Sequence, residues 1–131
     1  MQTESPVALV QAWQEAANDK DADRLVALSD SNIEIVGPRG SSYGSQVLSE
    51  WLERAGLTLT TLRVFARGPA VVVEQHGVWR APETNEVTGD RILASSFRVE
   101  NGSVTRYVRL DDLDTALNDA GLERSDEVIA G

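Results

Sequence analysis

The chain has 131 residues, a formal net charge of −9 from 12 basic and 21 acidic side chains, and no cysteine. Its length suits one domain with a real core and is too short for two. The acidic balance argues against nucleic acid and anionic membranes, which select clustered Lys and Arg, and the missing thiols exclude disulfides, zinc–thiolate sites and a cysteine nucleophile.

Ser5-Pro6 opens the first predicted helix, with Ser as N-cap and Pro at the first helical position. Val7, Leu9, Val10, Trp13, Ala16 and Ala17 give its apolar stripe, and Asn18-Asp19-Lys20-Asp21 breaks it. A short second helix follows, capped by Asp21, with Leu25, Val26 and Leu28 on its apolar side. Asp30-Ser31-Asn32 reads as a turn, Ile33–Val36 as a short strand ended by Gly37-Pro38, and Arg39–Ser42 as a polar loop. A third helix spans about Ser45 to Arg54, with Val47, Leu48, Trp51 and Leu52 on one side and Gly56 as C-cap. From Leu57 the period becomes two. Leu57–Arg67 and Ala70–Ala81 are strands joined at Gly68-Pro69, and the Pro82–Asn85 turn leads into a third long strand from about Glu86. A short helix over Asp111–Ala120, capped by Asp111 or Asp112, stops at Gly121. Residues 1–122 form the domain, and Glu123–Gly131 is expected to be a frayed acidic tail.

Asn101-Gly102, between alternating apolar runs, predicts a tight hairpin because both turn residues must accept φ > 0. A two-residue turn pairs Glu100 with Ser103. In regular register Arg91, Leu93, Ser95, Phe97 and Val99 then share a face with Val104, Arg106, Val108 and Leu110. Thr105, Tyr107 and Arg109 fall on the other face. The first face is the more apolar and is assigned to the interior, which sets Arg106 among Phe97, Val108 and Leu110. A buried guanidinium needs a carboxylate or a wet cavity, unless it snorkels at an open rim.

Helices before an antiparallel meander read as α+β: a curved antiparallel sheet covered by N-terminal helices, a cone with a cavity at its open end. This order resembles the NTF2-like superfamily, in its SnoaL-like and ketosteroid-isomerase-like branch, over Pro6 to Leu122. The resemblance rests on Val10–Trp13 through Leu28 as the opening helix pair and Tyr43-Gly44 at the start of the third helix. It rests also on Asn101-Gly102-Ser103-Val104 with Arg106, and on Asp112 with Ala116-Leu117 and Ala120-Gly121-Leu122. By this resemblance the ketosteroid isomerases' tyrosine donor falls on Trp13, their aspartate base on Gly37 before Pro38, and their protonated aspartate on Ser95. Gly37 takes no proton, so that mechanism is not expected.

The expected function is a pocket for a small apolar, carbonyl-bearing molecule, with acid–base or electrostatic catalysis or with binding alone; a third reading is an interaction domain whose cavity is core. Arg106 and Ser95 are the candidate catalytic residues, and Trp13, Tyr43, Gln75, Trp79, Arg91, Phe97 and Val108 the candidate ligand contacts. Gln75 and Trp79 fit core packing as well as a pocket wall, and Arg91 and Arg106 fit structural ion pairs with Asp30, Glu34 or Asp111 as well as an anion site. His76 lies on the less apolar face, where Glu74 would orient it as a base if it is not simply solvated or dimer-facing. No spacing suggests a metal site, a phosphate loop or a nucleophile elbow, and no cofactor is expected. No nucleic-acid or membrane partner is expected. A homodimer is expected through an outer sheet surface of Val72, Val78, Ile92 and Tyr107. No apolar run spans a bilayer and no leader pattern opens the chain, so a cytoplasmic location is expected.

Overall fold

The computed structural model describes residues 5–37, 40–54, 56–81 and 83–128. Helix α1 (Pro6–Asn18) begins where Ser5 Oγ accepts the Ala8 N–H at 3.1 Å, and α2 (Ala22–Ala27) begins at an Asp21 cap. Strands β1 (Ser29–Gly37) and β2 (Gly40–Tyr43), helix α3 (Ser45–Arg54), then β3 (Leu57–Arg67), β4 (Ala70–Arg80), β5 (Val87–Glu100) and β6 (Ser103–Leu110) follow. Helix α4 (Leu113–Ala120) closes the fold, followed by a 3-10 turn (Arg124–Asp126) and a two-residue strand β7 (Glu127–Val128). One curved sheet runs β2-β1-β6-β5-β4-β3-β7, and it is antiparallel except where β1 lies parallel to β6. The architecture is the α+β cone.

Two stretches read as irregular in the sequence are strands. The stretch Asp30–Asn32 lies within β1, and Gly40–Tyr43 folds back on β1 with Ser41 opposite Val36 and Tyr43 opposite Glu34. The polar residues of β2 are exposed on both faces, which an edge strand tolerates and which hides the strand from a hydrophobicity pattern. Beyond α4, Glu127 and Val128 pair with Phe65 and Val64, and Arg63 reaches Glu127 at 2.7 Å. Residues 129–131 lie outside the described residues, as does the Trp51 side chain.

Each sheet face has its own cover. On the concave face α1 packs Leu9, Val10, Trp13 and Ala16 onto Val71, Val73, Phe97, Val99, Val104 and Tyr107. The side chain of Asn18 pins the end of α1 to β3, donating to the Leu59 carbonyl (2.8 Å) and accepting its N–H (2.9 Å). On the convex face α4 presses Leu113, Ala116 and Leu117 onto Phe65, Val72 and Ala94. Helix α4 is set by Asp112 Oδ1, which accepts the Thr115 N–H at 2.8 Å, and by Gly121, whose φ of 72° ends it in the left-handed region. The outer surface expected of Val72, Val78, Ile92 and Tyr107 is therefore corrected: Val72 is fully covered by α4 and Tyr107 points inside, while Ile92 is 51% exposed and Val78 is half-buried.

The hairpin of β5 and β6 departs from regular register one step from its turn. Val99 faces Val104, but Arg98 already faces Arg106, so Thr105 is an extra residue in β6. Because strand side chains alternate with period two, that one residue exchanges the faces of everything after it. Tyr107 and Arg109 turn to the concave side, opposite Phe97 and Ser95, whereas Arg106, Val108 and Leu110 turn to the convex side. The exchange is favoured by what each side chain meets. Tyr107 packs its ring 4.8 Å from Trp13 and 5.2 Å from Phe97. Arg106 meets Glu34 (3.3 Å) and Asp119 (2.9 Å) instead of an apolar interior.

Candidate ligand-binding site

Four of the expected site residues lie together inside the cone. Trp13, Gln75, Ser95 and Phe97 are at most 2% exposed and sit beneath α1. Their polar atoms are joined in a directed string. Ser95 Oγ–H donates to Gln75 Oε1 at 2.7 Å, the Gln75 amide donates to Gln14 Oε1, and Gln14 Nε2 donates to Thr61 Oγ1 at 2.8 Å. The Tyr107 phenol stands next to Ser95 at the other end, with Tyr107 itself opposite Phe97 on the neighbouring strand. Burial pushes the Tyr107 phenol up from its ordinary value, with Arg109 and the Ser95 contact acting against that shift, so it stays a neutral phenol at physiological pH. The neighbours β5, β4, α1 and β3 thus supply one group each, and the low local dielectric strengthens every link.

Further along the same sheet face the polar string gives way to an apolar wall. Leu57, Leu59 and Leu93 cluster there with the half-buried Trp79. They share the face because Leu57 pairs with Trp79, Leu59 with Gly77 and Leu93 with Gln75. The wall packs closely over Gly77, where a Cβ would stand 3.0 Å from Leu93 and 3.3 Å from Leu57, so a larger residue there would push these leucines aside by a few tenths of an ångström. Arg109 completes the rim with its guanidinium carbon 6.0 Å from the centroid of the Trp79 ring.

The other expected residues lie elsewhere. Arg91 is on the concave rim but is exposed and bound to Asp111 at 2.9 Å. Tyr43 is 65% exposed on β2 with its hydroxyl 3.4 Å from Glu34, so it does not overhang the interior. Val108 is buried on the face opposite Ser95, level with Ser96 and Val36. The expectation that Arg106 shares the inward face with Ser95 is corrected by the extra residue at Thr105; Arg106 lines a convex-face cleft of about 250 Å³ with Ser96 and Asp119. His76 is on the convex face, 2.8 Å from Asp90 rather than oriented by Glu74. Among the described residues no three His, Asp or Glu side chains are placed to hold a metal ion.

Arg106 joins β1, β6 and α4 through Glu34 and Asp119. Its hydrogen bonds hold the Asp119 carboxyl below the usual carboxylate range, against the opposing effect of partial burial. A depressed folded value gives stability that is present above the unfolded carboxylate range and is lost as pH falls through the folded value. These side chains are a quarter to a third exposed, so screening limits the loss on Arg106→Ala to about 1–2 kcal/mol at pH 7. Urea midpoints at pH 7 and pH 3 check this. The gap between wild type and variant should narrow at the lower pH, and a constant gap would show that the ion pairs contribute nothing.

Sequence reasoning missed Gln14, Tyr107 and Arg109 as site residues. Gln14 is hidden because a single polar residue on a helix stripe reads as its solvent side. Tyr107 and Arg109 are hidden by the bulge, yet a signal exists: regular register puts an arginine inside and a tyrosine outside, an inversion that one extra residue removes.

No protein-family model matches the sequence, and a search of curated proteins returns no match. Solved structures do match. An NTF2-like protein from Burkholderia xenovorans is 23% identical, with 92% of this chain and 98% of that one covered and a TM-score of 0.67. TerC, co-crystallised with polyporic acid, is 18% identical over 88% of this chain and 98% of its own, with a TM-score of 0.71. A Mycobacterium tuberculosis protein in complex with estradiol-17beta-hemisuccinate is 16% identical over 85% and 97%, with a TM-score of 0.72. At these identities the likeness is one of fold.

Proposed function

Proceeding from the NTF2-like fold of this chain, we propose that it is a small-molecule pocket protein that holds an apolar, carbonyl-bearing compound at the open end of the cone. The observation that carries the reading is the meeting of the Ser95–Gln75–Gln14 string with the wall of Trp79, Leu57 and Leu93. An apolar surface with a few fixed hydrogen-bonding groups is the usual composition of a ligand site. The small ligands carried by TerC and by the Mycobacterium protein support the same use of the fold. Binding is favoured over proton abstraction, because the buried polar side chains described here are amides and hydroxyls with no carboxylate or imidazole among them. Trp79 and Leu93 would form the walls, and Ser95 and Gln75 would direct the ligand oxygen.

The test is a thermal-shift titration with estradiol and estradiol-17β-hemisuccinate. Ligand at a hundredfold its Kd stabilises the native state by about 2.7 kcal/mol, a shift of several degrees in a domain of this size. Wild type should show that shift, Trp79→Ala should lose most of it relative to its own unliganded midpoint, and Tyr43→Phe should keep it. No shift of wild type with either compound would sink the reading.

A further inference from the structure

Arginine in this chain is nearly always answered by an acid. Of the nine arginine side chains described, seven reach a carboxylate. The two others differ in kind. Arg80 is exposed and bonds the Asn85 carbonyl of its own hairpin at 3.3 Å. Arg109 stands on the concave face, opposite Ser95 and 6.0 Å from the Trp79 ring. Among the described residues no carboxylate lies within ion-pairing distance of it, although the chain carries a net charge of −9 and two aspartates follow it directly. Both are committed elsewhere: Asp111 binds Arg91 at 2.9 Å, and Asp112 caps α4 on Thr115 at 2.8 Å.

The geometry suits an external anion. A guanidinium set over an indole face keeps its N–H groups in its own plane, where they are free to fork onto two oxygens. A carboxylate accepts such a fork with two parallel charge-assisted bonds, and Arg109 is exposed, so its donors are accessible to a ligand.

We propose that Arg109 is the specificity-determining residue of the site, and that the ligand is an apolar ring compound bearing a carboxylate, which Arg109 holds while the ring lies against Trp79. This inference rests on the pocket reading and adds the charge of the ligand to it. It moves the anion contact from Arg91 and Arg106, which are neutralised, to Arg109, which meets no carboxylate among the described residues.

The experiment compares estradiol-17β-hemisuccinate with estradiol, which lacks the carboxylate, by fluorescence titration at low and high salt. Wild type should bind the hemisuccinate at least about tenfold more tightly, with the preference shrinking as salt rises. In Arg109→Gln the preference should collapse to within about twofold, and in Arg80→Gln it should persist. Equal binding of the two compounds by wild type, or an intact preference in Arg109→Gln, overturns the inference and leaves the pocket reading standing. Failure of wild type to bind either compound overturns both.

Discussion

Trp13→Ala should lower the unfolding free energy by about 3–5 kcal/mol, the range for truncating a buried large aromatic. Trp13 is fully buried, and its ring meets Phe97 edge-on at 5.3 Å and Tyr107 at 4.8 Å. Removing it leaves a hole that neither neighbour fills from a strand backbone fixed on both sides. The indole N–H also donates to Ser29 Oγ at 2.9 Å, and Ser29 in turn donates to the Leu25 carbonyl at 2.8 Å. The residue thus ties α1 to the end of α2 as well as to the sheet. Trp13→Phe retains part of the packing while it loses the donor and the rest of the indole; it should cost about half as much. Urea denaturation with the slope held in common measures both. A loss below about 1.5 kcal/mol for the alanine variant would mean that α1 settles into the space and that the aromatic cluster is loosely packed.

Gln75→Leu should cost about 2–4 kcal/mol despite the similar size of the two side chains. Leucine strands two partners at once. The Ser95 hydroxyl loses its acceptor and the Gln14 carbonyl loses its donor, in an interior where neither meets water. The string structure makes a sharper prediction. Once Gln75 is replaced, Ser95 has no link to break along β4, so Gln75→Leu with Ser95→Ala should be less destabilised than the sum of the single variants. A double-mutant cycle should give a coupling of about 1 kcal/mol or more, and additive losses would show that the string does not act as a unit. The same variant bears on ligand binding, because Ser95 then loses the partner that orients its hydroxyl toward the interior.

Much of this fold was legible before any coordinates. The boundaries of α1, α3, β3 and α4 follow from Ser5-Pro6, from the helical stripe ending at Arg54, from the switch to period two at Leu57 and from Gly121. Those signals are local: a cap, a period and a turn residue each act within a few residues of chain. The NTF2-like resemblance came from the order of these elements, and the solved structures agree with it in fold. Strand β2 was not legible because nothing in Gly40–Tyr43 needs burial. Strand β7 was not legible because its pairing with β3 joins residues far apart in sequence.

The sequence by itself determined the helices and the long strands, the hairpin at Asn101-Gly102 and the presence of Trp13, Gln75, Ser95 and Phe97 in the interior. Only the tertiary structure decided which arginine faces the site. Alternation gives a strand two faces but does not say which residues the pairing will skip, and one unpaired Thr105 sends Arg106 to Glu34 and Asp119 and brings Arg109 to Trp79. That choice depends on the burial of Tyr107 against two other rings and on two carboxylates brought from β1 and α4, and those partners meet only once the chain has folded.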